Sequence, residues 1–401
     1  MNKETRLRTP LTATGGVQRA SVNVCTKKGA DLKRITGFIK AQPVLVISFV
    51  LALVTMIAVP PDKAYMGYCN RTVLIELFAL MTAVAGFRTI GIFDKVTGQL
   101  LRRTGTVRRL GAVLTLICFF SAMLVTNDVA LITFVPLTLL IYSGIKDEKS
   151  LILTIVLETA AANLGSMMTP VGNPQNLFLY DKYGLTAMTF LRTMLPVGAV
   201  GLAAVMLLTF LLPKDKCETS DDSGANVPVI KAAVYAGLFL LCIAAVFRFV
   251  PDWVCLIAAL AAALACDKKL LAKVDYSLLA TFICFFVFVG NIARVEAVSG
   301  FFSRILDGRE LIVSALLSQF ISNVPAAVML AEFTGKGTEL LLGVDIGGFG
   351  TIIASLASLI SFQIYRREER AKAGRYFVVF TVINFALLIL LLAVQYIITI
   401  I

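Results

Sequence analysis

The stretch NLGSMMTPVGNPQNL, Asn163 to Leu177, decides how this chain is read. It sets two prolines, two glycines and three asparagines between apolar flanks. Proline removes an N–H donor and clashes with the preceding helical turn, and glycine loses more conformational freedom than any other residue on ordering. A helix broken here needs a reason, and the rest of the chain supplies one.

The 401 residues are 58% hydrophobic and 15% charged, where an ordinary soluble domain carries about 25% charge. Apolar runs of about 17 to 25 residues, enough to cross roughly 30 Å of hydrocarbon, recur near 44–60, 71–93, 151–180, 191–213, 229–249, 251–267, 275–293, 340–365 and 376–400. Two further apolar stretches, 110–142 and 310–334, are interrupted near the middle by polar residues. Each reads as a re-entrant hairpin of two short helices, with a continuous span as the alternative. The expected fold is an all-α polytopic membrane protein with about nine transmembrane helices plus two re-entrant hairpins, in two inverted repeats with discontinuous helices.

The formal charge of +12 reports topology. With the N-terminus inside and both hairpins returning to their own side, inside segments hold 27 Lys and Arg and outside loops hold nine, the asymmetry of the positive-inside rule. Nucleic acid is not an expected partner. Residues 1–43 are read as a basic cytoplasmic tail, 44–213 as the first repeat, 214–250 as a linker and connecting helix, and 251–401 as the second repeat. The eight cysteines, Cys25 and Cys217 among them, are scattered without a C-x-x-C pair, and the chain has no histidine. That argues against a metal centre of the Cys and His kind.

The opening stretch has a counterpart. NLGSMMTPVGNPQNL aligns without gaps to DIGGFGTIIASLASL, Asp345 to Leu359, so that Gly165 falls on Gly347, Thr169 on Thr351 and Leu177 on Leu359. VTNDVA (Val125 to Ala130) likewise matches ISNVPA (Ile321 to Ala326). Five crossings lie between the two broken segments if 310–334 is a hairpin, so the halves are expected to run in opposite directions. Inverted repeats with helices broken near the bilayer midplane are the arrangement of secondary transporters, in which the breaks form the substrate and ion site. Unwound backbone survives at that depth only when buried in protein or lining a cavity. Freed carbonyls and the amides of Asn173, Gln175 and Asn176 can coordinate a cation, and helix N-termini at the break favour an anion.

At these residues, TPVGNPQN, ISNVPAAVMLAEF and GVDIGGFGTIIASLASLISF, the chain resembles the ion transporter superfamily of citrate-transporter-like permeases. That group includes divalent anion/sodium symporters, arsenite permeases and sodium/proton antiporters, and the last stretch is most similar to the arsenite-permease and antiporter side. The resemblance spans about residues 40 to 400. It implies two hairpins entering from opposite sides, a dimerising scaffold and an elevator-like motion of a transport domain. The family's Ser-Asn-Thr tips stand here as Thr126-Asn127-Asp128 and Ser322-Asn323-Val324. The asparagine is kept and the threonine lost twice, which weakens a citrate or succinate assignment.

Ionisable groups at membrane depth are functional candidates, since each costs at least about 2.5 to 3.5 kcal/mol to insert. Asp128, Glu158 and Asp345 are the candidates for coupling, with helix capping or helix–helix bonding as the alternative; Glu332 reads as interfacial, and Arg88, with Asp94 nearby, as snorkelling. The expected substrate and ion site comprises Thr126, Asn127, Asp128, Asn163, Thr169, Gly172, Asn173, Asn176, Ser322, Asn323, Asp345, Thr351 and Ser355.

The reading is a secondary active transporter of the cell membrane that moves a small inorganic anion or oxyacid coupled to Na+ or H+. A sodium/proton antiporter stands second, a dicarboxylate or citrate symporter third, with a channel or an intramembrane protease remote. No cofactor is expected beyond the coupling ion. A homodimer is expected, and a separate ATPase subunit is compatible.

Overall fold

The computed structural model describes residues 42–400 except 94, 96–104, 146, 217–226 and 369–370. Nearly all of the basic tail, Cys25, Cys217 and Asp94 lie outside the described residues. What is described is helical, with no strand beyond a single bridge between Thr106 and Lys216.

Sixteen helices carry the argument. They are α1 (Pro43–Ala58), α2 (Arg71–Thr89), α3 (Val107–Val125), α4 (Asn127–Ile145), α5 (Glu148–Met167), α6 (Pro174–Lys182), α7 (Ala187–Leu208) and α8 (Val229–Val246). The second half continues with α9 (Asp252–Cys266), α10 (Tyr276–Ala293), α11 (Glu296–Leu306), α12 (Glu310–Ile321), α13 (Asn323–Leu330), α14 (Gly337–Ile346), α15 (Leu356–Arg366) and α16 (Ala373–Ile400). Among the described residues eight helices are long and apolar enough to cross a membrane. Two of the eight, α3 and α4, are the arms of a hairpin.

The arms of α3 and α4, 19 residues each, are about 28 Å long, so length alone permits two spans. The arms run antiparallel, the start of α3 (Val107, Leu110) clustering with the end of α4 (Ile141, Tyr142, Ile145), and the tip is held inside the protein, Asn127 N–H donating to Gly172 O in the break after α5, which makes the pair a hairpin. The chain reverses at Thr126, whose backbone lies at φ 70°, ψ 147°. The second hairpin, α12–α13, is shorter, with arms of 12 and 8 residues, and reverses at Ser322 with nearly the same dihedrals, φ 74° and ψ 153°. Its base is closed by Thr334, which donates to Glu310 Oε1 at 3.0 Å.

The hairpins enter from opposite ends of the molecule. The base of the first binds the segment just after α7, with Val107 N–H donating to Asp215 O and Arg108 N–H to Pro213 O, both at 3.0 Å. The base of the second binds the residue just before α7's N-cap region, where the Tyr183 hydroxyl donates to Thr334 O at 3.0 Å. The 22 residues of α7, about 33 Å of helix, separate the two.

The sequence places unwinding over 166–176 and 347–352; the observed breaks are 168–173 and 347–355. The difference has a local cause. Pro174 does not unwind the chain but begins α6, because proline at the first helical position gives up an N–H that has no partner there and presets φ. Its N-cap is Asn173, whose Oδ1 accepts from Asn176 N–H at 2.8 Å. In the second half α15 begins at Leu356, behind Ser355 as N-cap position. Pro174 and Leu356 are partners in the gapless alignment, so the two helices restart in register.

Packing sorts the elements. α5 is buried along nearly its whole length, its polar Thr154, Glu158, Thr159 and Asn163 included, with the α3–α4 hairpin, α7, α15 and α16 around it. Each restarted half-helix lies on the other repeat's hairpin: α15 packs on α4 and α6 on α13. α2 packs with α8 and α9, and α1 with α10, where Asn291 Nδ2 donates to Thr55 at 3.2 Å.

Candidate functional site

Each hairpin plugs into its own break through the same two contacts, and its tip asparagine makes a third within the tip. Asn127 N–H donates to Gly172 O at 3.3 Å and Asn323 N–H to Ala354 O at 2.9 Å. Thr169 Oγ1 donates to Met123 O at 2.5 Å, and Thr351 Oγ1 to Gln319 O at 2.9 Å. The asparagine side chains fold back on the next residue, Asp128 N–H to Asn127 Oδ1 and Val324 N–H to Asn323 Oδ1, both at 3.0 Å. Every pair occupies aligned positions. The break carbonyls, orphaned where the helix stops, are thus taken by tip donors.

Close approach of backbones makes this possible. A Cβ on Gly165 would stand 2.0 Å from Phe119 O, and one on the aligned Gly347 would stand 2.8 Å from Ala315 Cα. Glycine at these two positions lets the hairpin lie directly on the broken helix.

The two breaks then cross. Asn163 Oδ1 accepts from Asn127 Nδ2 at 3.0 Å within its own half, and from Ser355 Oγ at 3.1 Å in the other. Asn163 Nδ2 donates to Ser358 Oγ at 3.3 Å. With the halves exchanged, Asp345 Oδ1 accepts from Asn173 Nδ2 and Gln175 Nε2, each at 3.2 Å. Asn163 aligns with Asp345 and Ser355 with Asn173, so the contacts are related as a local two-fold requires. Asp345 is 4% exposed, and its Oδ2 and the Oδ1 of Asn176 are buried with no hydrogen-bond partner. No Lys or Arg side chain takes part. The positive complement is the amide donors and the N-terminus of α6, worth roughly half a charge.

Of the expected residues, Thr126, Asn127, Asn163, Thr169, Gly172, Asn173, Asn176, Ser322, Asn323, Asp345, Thr351 and Ser355 all belong to these contacts or to the tips that make them. Asp128 is at the tip but half-buried, and its carboxylate makes no hydrogen bond among the described residues. Glu158 stands apart, fully buried one and a half turns before Asn163, with Thr138 Oγ1 donating to its Oε1 at 2.5 Å. Glu332 is exposed and paired with Lys182 at 2.5 Å, as an interfacial residue would be. Gln175, named from the sequence as an amide donor at the break, joins the site; three residues escaped the sequence reading: Ser166, Ser358 and Gln319. Ser358 was available from the alignment, as the partner of Asn176; Gln319 was not, because its partner is Met123.

Two cavities reach the tips from one end. One of about 480 Å³ is lined by Arg88, Thr89, Lys273, Asp275 and, beside the first tip, Val129. The other, about 180 Å³, runs from the same Asp275 to Ser322 and Val324 at the second tip.

Residues 37–335 match the citrate transporter family. The chain belongs to that family. It is 33% identical over 325 residues to an uncharacterized transporter of Methanocaldococcus jannaschii, covering 80% of this chain and 88% of the relative. It is 31% identical over 301 residues to the inner membrane protein YbiR of Escherichia coli, covering 73% and 79%. An uncharacterized transporter of Mycobacterium tuberculosis is 26% identical over 343 residues, covering 74% and 78%. The citrate transporter family member described here is therefore a membrane transporter.

Proposed function

We propose that the crossing of the two breaks is the transport site of a secondary active transporter for a small inorganic anion or oxyacid, coupled to Na+ or H+. The observation that carries this is the exchange-related pair Asn163–Ser355 and Asp345–Asn173, which ties both broken helices and, through Asn127, the first hairpin tip into one polar centre. Amide donors and helix N-termini suit an anion. The unpartnered Oδ2 of Asp345 and Oδ1 of Asn176 suit a cation or proton. The same pair of oxygens supports a sodium/proton antiporter as the second reading. Citrate stands third, although the family bears its name, because a trianion would meet the Asp345 carboxylate with no Lys or Arg to offset it.

Cavities reaching both tips from the Lys273 end favour an inward-open arrangement, with that end cytoplasmic by the positive-inside rule. On this reading the protein sits in the cell membrane, as the name of the E. coli relative also suggests, with a cytoplasmic N-terminus. It works as a homodimer whose transport elements, α3–α7 and α12–α16, move as an elevator; a separate ATPase subunit remains compatible.

The test is flux in proteoliposomes between pH 5.5 and 8.5, with and without Na+, for wild type, Asp128→Asn and Asp345→Asn. Asp345→Asn should remove the dependence on the coupling ion. If both variants keep wild-type rates and wild-type pH and Na+ dependence, the aspartates are caps and coupling lies elsewhere. Citrate competing at micromolar concentration would overturn the substrate reading alone.

A further inference from the structure

At the end of the molecule opposite the tip-reaching cavities lies one of about 510 Å³, lined by Thr72 and Glu76 of α2, Tyr180 and Asp181 of α6, and the α8–α9 turn with Arg248 and Asp252. Glu76 opens into it, is 3% exposed, and makes no hydrogen bond or ion pair among the described residues. Its neighbours are already engaged. Asp181 accepts from Asn70 Nδ2 at 2.6 Å, and Arg248 donates to Tyr180 O at 3.3 Å while its guanidinium lies 5.4 Å above the Tyr180 ring. Asp252 Oδ1 accepts from Trp253 N–H at 2.8 Å. Three carboxylates face one guanidinium, and the polar groups offered are oxygens.

We infer that this cavity is a binding site for a small monovalent cation of the Na+ kind, with the Glu76 carboxylate as its anchor. A carboxyl held this deep ionises only with positive charge beside it and otherwise keeps its proton, and Arg248 is turned to Tyr180. The uncommitted acceptors at the cavity wall are carboxylate oxygens, and oxygen donors select hard cations. Among the described residues no three acidic or sulfur side chains are close enough to share one bare metal ion. The ion therefore keeps part of its water, and the single buried carboxylate of Glu76 balances one positive charge. The site bridges α2 and the α8–α9 turn to α6, and it does not rest on which solute the crossing carries.

The only tryptophan of the chain, Trp253, adjoins Asp252 and supplies the readout. Full-length protein in lipid nanodiscs is titrated with NaCl against choline chloride at constant ionic strength, following Trp253 emission at pH 7.5. A saturable Na+-specific change is expected in wild type, with half-saturation at least tenfold weaker in Glu76→Gln and partly kept in Glu76→Asp. Circular dichroism and gel filtration establish that the variants are folded, and Asp252→Asn provides a second, shallower variant expected to weaken binding less. The other titratable groups facing Glu76 are Asp181, Asp252, Arg248, Cys242 and Cys255, so the titration is repeated at pH 6 and 9. No Na+-specific change, an unaltered half-saturation in Glu76→Gln, a change driven by pH alone, or tighter binding of Mg2+ than of Na+ would each overturn the inference.

Discussion

Gln319 commits both ends of its amide to the second break. Its Nε2 donates to Gly347 O at 2.8 Å and Phe349 O at 2.9 Å, and its Oε1 accepts from Thr351 N–H at 2.9 Å. Gln319→Leu would leave these buried groups unsatisfied, at about 1–3 kcal/mol each. The expected outcome is a clearly lowered thermal unfolding midpoint in detergent together with lost transport, whereas Met123→Leu at the aligned position should be nearly silent. Asn127→Ala, Asn173→Ala and Asn323→Ala should abolish flux while leaving folded protein in the membrane; wild-type flux in all three would reduce the crossing to a structural kink. At this scale the sequence was most legible where the halves repeat. Asn127 and Asn323, or Thr169 and Thr351, announce each other by alignment. Glu76 did not: it sits among apolar neighbours in an ordinary span with no matching residue to mark it, and only the fold brings Asp181 and Arg248 to its side.

Among elements, the gapless alignment foretold more than the hydropathy did. It pairs the two restarts the fold shows, α6 at Pro174 and α15 at Leu356, although proline stands at only one of them and the breaks read from the sequence, 166–176 and 347–352, end off both. Hydropathy alone could not tell a hairpin arm from a span, since α3 and α4 are long enough to cross; the polar interruption at Thr126-Asn127-Asp128 marked the reversal that the fold shows there. The helix ends differ from the sequence expectation because Pro174, which lacks an N–H, stands at the start of α6, where a proline initiates a helix and does not break it. The close seat of hairpin on broken helix gives a direct prediction. Gly165→Ala puts a methyl group against Phe119 O, and overpacking of this kind costs about 1–3 kcal/mol or more. Thermal denaturation should show Gly165→Ala strongly destabilised and Gly144→Ala, where a Cβ meets nothing within 4 Å, unchanged or slightly stabilised.

For the whole molecule, hairpins entering from opposite ends of α7 and cavities reaching both tips from one end describe a single conformation of a two-sided device. In a variant lacking its native cysteines, Val129→Cys and Ser322→Cys should therefore react with a membrane-impermeant thiol reagent from the Lys273 side and be protected from the other. The family membership was legible because the motifs lie at the breaks, where backbone chemistry restricts the choice of residue. The substrate was not, since amides and helix ends serve many small anions. The central claim, that the crossing of the breaks is where solute is carried, is met most directly by solute counterflow in proteoliposomes loaded with a panel of unlabelled inorganic anions and oxyacids. The account predicts saturable counterflow for one chemical class, abolished in Asn163→Ala and Asn173→Ala reconstituted at equal density. Counterflow undiminished in both variants would contradict it.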